Sequence, residues 1–153
     1  DPRIGAVRRV RVVSGPEIRA AYGASLAEAA LVRAGACVAM PAQVSDTVGR
    51  HKDGDFVLLI ESRTTESQVT DVAQRIIAEG LRPGRNLPRD LMLHLHVACV
   101  CCPLPRDDGE RLLRHLGNLL DEIAKTPRKA LRFLYYKSAS PSPSYPPDSE
   151  EVI

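Results

Sequence analysis

The chain has 153 residues with a formal net charge of +2; 26% of its residues are charged and 44% are hydrophobic. This length suits one compact domain with a real core, and mixed charges of both signs argue against nucleic-acid binding, which needs a large positive field. The apolar runs are short of the roughly 20 residues that span a bilayer and no signal-peptide pattern opens the chain, so we expect a soluble piece, even if it is cut from a membrane protein.

The chain opens with a predicted strand and two predicted helices. Residues 10–13 are β-rich and stop at a Ser-Gly-Pro turn. Residues 17–22 favour a short helix, and the Ala-rich residues 25–34 favour a second helix by intrinsic propensity. We expect Gly35 to end that second helix.

A hairpin is the next predicted feature. The strand-like residues 47–51 and 56–60 are joined by residues 52–55, whose Asp-Gly step is a strong hairpin signal. The helix that follows is marked by Thr65 and Gln68, which have capping-box spacing, and by apolar residues in helical register. We expect it to end at the glycine at position 80.

The sequence of residues 91–136 predicts a strand, a helix and a second strand. Residues 91–99 alternate and give a central strand with one plainly apolar face. A helix with a buried leucine stripe then opens with Asp107 and Glu110 in capping-box spacing and ends at Pro127. Residues 131–136 form the final predicted strand.

These elements follow the order β, α, α, β, β, α, β, α, β. Helices interspersed with a hairpin in this way predict an α+β sandwich with helices packed on a mixed sheet. From residue 138 the sequence is rich in serine and proline and then acidic, too polar to repay the entropy of ordering. We therefore expect one folded domain over residues 1–137 and a flexible tail over residues 138–153.

The cysteine and histidine residues do not predict a metal site. Cys37 stands alone, and the three cysteines within residues 99–102 have no partner pair at zinc-site spacing. We interpret them as reduced thiols of a cytoplasmic protein. His94 and His96 share a face of the predicted strand without an identifiable third ligand, so we expect them to pack beneath a helix.

The hairpin region carries a family resemblance. Residues 46–56 read Asp-Thr-Val-Gly-Arg-His-Lys-Asp-Gly-Asp-Phe, which resembles the GGDEF-family stretch Asp-x-Val-x-Arg-x-Gly-Gly-Asp-Glu-Phe. Residues 22–23, 73–76 and 112–133 also resemble family segments, and the likeness covers about residues 1–136. It implies a nucleotidyl-cyclase-like (ferredoxin-like) sandwich with a central mixed five-stranded sheet. The signature falls on Lys52, Asp53, Gly54, Asp55 and Phe56.

One part of the likeness is incomplete. Asp1, Pro2 and Gly5 resemble the Asp-Pro-Leu-Thr-Gly that opens the family fold, and a long helix follows that opening in the family. Here only a few residues separate Gly5 from Val10. Either a helix has been deleted or disordered residues are missing from the sequence as given, and we favour the second explanation.

The resemblance also implies an activity. Family members condense two GTP molecules into cyclic di-GMP across a dimer interface, with two magnesium ions held by carboxylates. The implied ligands are therefore GTP or cyclic di-GMP, with magnesium as cofactor only if the protein is active. The implied setting is the cytoplasmic output domain of a bacterial sensor, either soluble or membrane-bound, as a homodimer or with a sensor-domain partner.

The metal and phosphate positions of the family are substituted in this chain. Its metal-binding Asp on the first strand aligns with Arg11, so a cation replaces a ligand. Its acidic third signature position aligns with Gly54. Lys52 and Asp53 replace the glycines that let the backbone approach phosphate. We predict from these changes that catalysis has been lost.

Nucleotide contacts are only partly kept. The first guanine-reading position aligns with Arg19, whereas Glu28 keeps an acid at the second. Asp53 and Asp55 are two residues apart in an extended hairpin and could share a face that holds one cation. Two exposed turn carboxylates are more often solvated turn formers, and this is the interpretation we favour.

A second family site, for product inhibition, is reduced to a remnant. The family's Arg-x-x-Asp before the signature is matched by Gln43 and Asp46, and neutral Gln cannot pair with phosphate as Arg does. Arg75 stands where the family often has a second arginine for the same ligand. Weak cyclic di-GMP binding therefore stays open beside the simpler reading of Arg75 as a solvated charge.

We expect the chain to be a degenerate diguanylate-cyclase-like signalling domain that is catalytically inactive and acts by dimerisation or by partner or nucleotide binding. One alternative is an active divergent cyclase that uses Glu28, Asp53 and Asp55 with magnesium. Another is a cyclic di-GMP receptor built on Asp46 and Arg75.

Overall fold

The computed structural model describes residues 5–41, 47–51, 54–101, 108–125 and 129–135. Within them the elements have the predicted order. The strands are β1 Ala6–Val12, β2 Thr47–Arg50, β3 Phe56–Ile60, β4 Leu95–Cys101 and β5 Leu131–Phe133. The helices are α1 Gly15–Tyr22, α2 Ala24–Ala39, α3 Glu66–Gly80 and α4 Gly109–Lys125. None of these helices is long and apolar enough to cross a membrane.

The strands form one mixed sheet of five, in the order β2, β3, β1, β4, β5. Strand β1 is antiparallel to both of its neighbours, β3 and β4, and β5 is parallel to β4. The mixed five-stranded sheet that the family resemblance implied is therefore confirmed. The arrangement puts β1 in the middle of the sheet, with both of its faces covered.

Two apolar layers lie on opposite faces of the sheet. Helices α1, α2 and α3 pack on one face, in a core that includes Val10, Phe56 and Leu58. Helix α4 packs on the other face against Val7 and Ala98. Side chains alternate along β1, so the chain assigns neighbouring residues to different layers.

Strand β1 begins at Ala6, four residues before the predicted start at Val10. The prediction missed these residues because Arg8 and Arg9 interrupt the apolar run, yet both are buried. Gly5 lies next to the strand and donates a hydrogen bond to the carbonyl of Ile60 at 2.6 Å. The chain therefore passes from Gly5 straight into the sheet.

Helix α2 does not end at Gly35, so that prediction is wrong. A β-carbon at Gly35 would lie 3.1 Å from the ring of Phe56, so the glycine allows the helix to approach the sheet closely. A glycine is present at position 35 because of this tertiary contact and not because the helix ends there. The helix continues to Ala39.

The caps of α3 and α4 fix where these helices start. Thr65 and Gln68 form the predicted capping box, with both reciprocal hydrogen bonds present. At α4 the side chain of Asp108 accepts a hydrogen bond from the backbone of Glu110 at 3.1 Å. Asp107 and Pro127 lie outside the described residues.

Two predicted strands are shorter or shifted. Residues 91–94 precede β4, which continues instead to Cys101, and its residues 95–100 are buried on both faces rather than one. Strand β5 ends at Phe133, whereas residue 136 and the predicted tail lie outside the described residues. Cys37, Cys99 and Cys101 are free thiols.

Candidate functional site

The signature hairpin closes by backbone hydrogen bonds. The amide of His51 donates to the carbonyl of Asp55 at 2.7 Å, and the amide of Gly54 donates to the carbonyl of His51 at 2.9 Å. Gly54 has a φ of 92°, a left-handed conformation that favours glycine. Lys52 and Asp53 lie outside the described residues.

The end of the hairpin is fixed by an aromatic contact. The guanidinium of Arg50 lies 5.3 Å from the centre of the Phe56 ring, within range of a cation–π interaction. Phe56 is itself buried in the core on the α2 side. The apolar last residue of the signature therefore anchors the hairpin to the sheet.

Asp55 is buried, which corrects the expectation of an exposed turn carboxylate. Only 4% of the residue is exposed. Its carboxylate accepts hydrogen bonds from Arg9 Nε at 2.7 Å, from Arg11 Nη2 at 3.0 Å and from Arg11 Nε at 3.1 Å. The β1–β3 register explains the contact, because continuing it by one pair places Arg11 opposite Asp55.

Arg11 links the hairpin to helix α4. Beyond its two bonds to Asp55, its Nη1 donates to Asp121 Oδ1 at 2.6 Å. Burial alone lowers the pKa of Arg11, but the hydrogen bonds and negative charges of Asp55 and Asp121 outweigh it and raise that pKa above its usual value. The guanidinium therefore stays charged between two carboxylates.

Arg9 completes the network from a fully packed position. It is 3% exposed, and its Nη1 donates to the carbonyl of Leu113 in α4 at 2.7 Å. A β-carbon at Gly117 would lie 2.9 Å from the same Nη1, so any larger residue at that helix position would require the guanidinium to shift. We name Arg9, Arg11, Asp55 and Asp121 the arginine–carboxylate network.

A cavity of about 370 Å³ lies beside this network, between β1, the hairpin and α4. Its walls carry charges of both signs, so its field is mixed rather than strongly positive. The lining residues are Arg9, Arg11, His51, Glu110, Leu113, Arg114, Gly117, Asn118 and Asp121.

The donor set does not fit a magnesium site. Magnesium needs hard oxygen ligands with free lone pairs. At the aligned positions the chain has the guanidinium of Arg11 and the bare backbone of Gly54, and the carboxylate of Asp55 is already bonded to two arginines. Among the described residues, no group of three or more His, Cys, Asp or Glu side chains could hold a metal ion.

Of the predicted nucleotide-binding residues, Asp55 belongs to this network, Asp53 lies outside the described residues, and Arg19 and Glu28 are not part of the network. Arg19 and Glu28 are exposed on α1 and α2, and Arg75 is exposed on α3. These three helices pack on the sheet face opposite α4. Gln43 and Asp46, the remnant of the inhibitory site, lie outside the described residues.

Sequence reasoning missed Arg9 and Asp121. The sequence signal for Arg9 was its place beside Arg8 in a run with strand-like neighbours, where a charge must be paired if it is buried. Asp121 has no such signal, because it lies 110 residues from Arg11 along the chain. The histidine prediction was half right, since His96 is buried whereas His94 is exposed and precedes β4.

The chain is similar in sequence to one protein family. The model of the diguanylate cyclase GGDEF domain matches residues 16–130, which is most of the chain. No curated protein matches the chain as a significant sequence relative.

Solved structures with the same fold include several GGDEF domains. The GGDEF domain of PA1120 (YfiN or TpbB) from Pseudomonas aeruginosa has a TM-score of 0.75 at 20% identity, over 86% of this chain and 82% of that one. The GGDEF domain of DgcB from Caulobacter crescentus, in complex with c-di-GMP, has a TM-score of 0.74 at 10% identity, over 86% and 78%.

A third similar structure contains a protein partner. Diguanylate cyclase SiaD from Pseudomonas aeruginosa, in complex with its activator SiaC, has a TM-score of 0.71 at 15% identity, over 86% of this chain and 50% of that one. At these identities the likeness establishes the shared fold.

Proposed function

This chain belongs to the GGDEF domain family, and from that premise we propose that it is a catalytically inactive member. It acts in cyclic di-GMP signalling by dimerisation, or by binding a partner protein or a nucleotide. We place it in the cytoplasm, as the output part of a sensor.

The observation that carries this proposal is the pairing of Arg11 with Asp55. Arg11 stands at the position where the family resemblance implies a metal ligand, and it holds the buried Asp55 by two hydrogen bonds. A fixed positive charge there repels a divalent cation. A metal ion that bound Asp55 would also break the hydrogen bonds of Asp55 to Arg9 and Arg11. Leaving a buried arginine without its counterion costs free energy.

The third signature position supports the same conclusion. Gly54 has no side chain to supply an oxygen, and its left-handed backbone makes an acidic replacement strained. The family resemblance implies a metal-binding carboxylate at this position and at that of Arg11, and this chain has a carboxylate at neither. The alternative in which Glu28, Asp53 and Asp55 serve an active cyclase is disfavoured, because Asp55 is buried against arginine.

A binding role agrees with what similar proteins do. The DgcB domain is seen with c-di-GMP, and SiaD is seen with its activator SiaC. The present chain keeps exposed charged groups on the α1–α3 side, Glu28 and Arg75 among them. These groups could bind a nucleotide on the face of the sheet opposite the arginine–carboxylate network.

The proposal is tested by turnover and binding on the same preparation. Purified protein is incubated with GTP and magnesium while cyclic di-GMP is followed by chromatography, and calorimetry is run with GTP and with cyclic di-GMP. We expect no cyclic di-GMP above a protein-free control. Sustained magnesium-dependent product formation would overturn the proposal.

The binding arm separates the remaining roles. Cyclic di-GMP binding that disappears in Asp46→Ala and weakens in Arg75→Met would establish a receptor. The matched control is Arg85→Met, which removes the same charge from an exposed position. Absence of nucleotide binding in every arm would leave dimerisation or a protein partner as the role.

A further inference from the structure

Arg8 is a buried arginine that belongs neither to the arginine–carboxylate network nor to the signature hairpin. It is 1% exposed and lies in the middle of β1, between Leu58 of β3 and Cys99 of β4. Its side chain points to the α2–α3 layer, opposite to that of Arg9. Its Nη2 makes one long hydrogen bond, 3.4 Å, to the carbonyl of Val69.

Two of the three nitrogens of the Arg8 guanidinium lack a hydrogen bond. Its Nε and Nη1 are buried and have no hydrogen-bond partner. No ion pair joins Arg8 to a carboxylate of the described residues, whereas its neighbour Arg9 bonds to Asp55 at 2.7 Å. A buried charge without a counterion is strongly disfavoured. A bound anion would therefore stabilise the charged guanidinium of Arg8.

The neighbouring thiol does not supply that anion. Cys99 packs beside Arg8, and burial raises the pKa of its thiol to about 12 despite the opposing influence of Arg8. The thiol is therefore neutral at physiological pH. The counterion for Arg8 has to come from elsewhere.

A cavity of about 320 Å³ opens onto Arg8. This volume lies at the lower end of the range of ligand pockets. Apolar side chains of β3 and α3 form one part of its wall, and the loop before α3 forms a polar part. The lining residues are Arg8, Pro41, Leu58, Ile60, Ser62, Arg63, Thr64, Gln68, Val69, Asp71 and Val72.

The electrostatics of the wall favour a negative ligand. The loop that carries Ser62 and Thr64 leads into the N-terminus of α3, the positive end of a 15-residue helix. Arg63 adds an exposed cation, and Asp71 is the one acidic residue among the described lining residues. The charged side chains therefore sum to a net positive charge, with the buried part of it on Arg8.

We propose that this cavity binds a small oxyanion, a carboxylate or phosphate group of a small molecule, with Arg8 as its buried counter-cation. The apolar wall accommodates the body of the molecule, while the hydroxyl of Ser62 and the side-chain NH2 of Gln68 can donate further hydrogen bonds. The site lies on the sheet face opposite the arginine–carboxylate network. Arg75, one residue of the inhibitory-site remnant, is not among the described residues that line it.

The direct test follows the guanidinium itself. The Nε–H resonances of the ¹⁵N-labelled protein are recorded during titrations with sodium phosphate, sodium acetate and sodium chloride, and Arg8 is identified by the resonance lost in Arg8→Met. We expect a saturable shift of that resonance with phosphate or acetate but not with chloride. The preferred probe then identifies the headgroup as phosphate or carboxylate. No saturable shift with either oxyanion would overturn the proposal.

Variants separate the Arg8 cavity from general charge effects. We expect Arg8→Met to weaken binding of the preferred probe, followed through backbone amides of residues 62–69, by about tenfold or more, as for loss of a charged hydrogen-bond donor. Arg85→Met, an exposed charge-matched control, should leave the affinity unchanged. Equal affinity in Arg8→Met and the parent protein would contradict the proposal.

Stability gives an independent readout. Without an anion, Arg8→Met should unfold at a higher temperature than the parent protein, because an unpaired buried charge is replaced by an apolar chain of similar length. Phosphate or acetate should raise the unfolding temperature of the parent but not of the variant. A variant that fails to fold, or one that responds to the anion as the parent does, would sink the proposal.

Discussion

Arg11 and Asp55 lie opposite each other on β1 and at the edge of β3, joined by hydrogen bonds of 3.0 and 3.1 Å. In the resembled family the first position is a metal ligand and the second belongs to the signature. Here a cation and a carboxylate at these positions form an ion pair inside the domain. The carboxylate that remains in the signature is therefore bonded to the protein itself.

Removing the charge of Asp55 should destabilise the fold. Asp55→Asn leaves the buried Arg9 and the partly exposed Arg11 without their shared counterion, and breaking a buried pair such as Arg9–Asp55 costs about 3 to 5 kcal/mol. The free energy of unfolding in urea measures the effect. A loss below about 1 kcal/mol, the value of an exposed pair, would show that the burial of Asp55 is not energetically important.

Asp121→Asn is the matched change on the exposed side of the same network. The side chain of Asp121 is 64% exposed, so solvent screens its bond to Arg11. We expect a loss of no more than about 1 kcal/mol, which should shrink further in high salt. The free energy of unfolding in urea, measured at low and high salt, tests this. A loss of unfolding free energy as large as that in Asp55→Asn would contradict the view that the buried and the exposed carboxylate contribute unequally.

Gly117→Ala tests the packing of Arg9 against α4. The new methyl group would lie 2.9 Å from Arg9 Nη1, so the guanidinium must shift and disturb its hydrogen bonds to Asp55 and Leu113. We expect this cost, about 1 to 3 kcal/mol, to exceed the gain in helix propensity of up to about 1 kcal/mol. Gly109→Ala in the same helix is the control, because its β-carbon meets no atom within 4 Å. Thermal unfolding of both variants should show a drop only for Gly117→Ala, and equal unfolding temperatures would refute the close contact.

The stability of the protein should fall in mild acid partly because of His96. Burial, and then the charges of His94 and Arg11, lower the pKa of His96 below its usual 6.5. The unfolded state then takes up a proton first as the pH falls below 6.5, so stability is present above that value and is lost as the pH falls through the folded pKa.

The acid effect is measured as the free energy of unfolding against pH. His96→Gln should flatten the curve below pH 6.5, where the parent loses stability. His94→Gln is the control at an exposed neighbouring histidine, and it should leave most of the slope in place. An unchanged slope in His96→Gln would assign the acid sensitivity to other groups.

Element order could be predicted from the sequence because periodicity and caps are local signals. The capping box at Thr65 and Gln68 is an example, since both partners lie within one turn. Gly35 was misjudged because its reason is the ring of Phe56, which lies on another element. The start of β1 was missed because Arg8 and Arg9 resemble a loop until their surroundings are known.

In the candidate site too, local features could be predicted from the sequence and long-range contacts could not. Loss of the family acids at Arg11 and Gly54 is visible in the sequence alone. The burial of Asp55 is not, because its arginine partners lie 44 and 46 residues away and become neighbours only through strand register. The role of Gly117 is hidden for the same reason, since a glycine in a helix has no local signal for a guanidinium packed against it.

Divalent-cation binding by the hairpin tests the central claim most directly. Free Mn²⁺ is titrated against the intact chain and followed by electron paramagnetic resonance, with Asp55→Asn as the comparison. We expect the parent and the variant to give the same weak, unsaturated binding, because Asp55 is held by Arg9 and Arg11. Stoichiometric Mn²⁺ binding by the parent that is lost in Asp55→Asn would contradict the account.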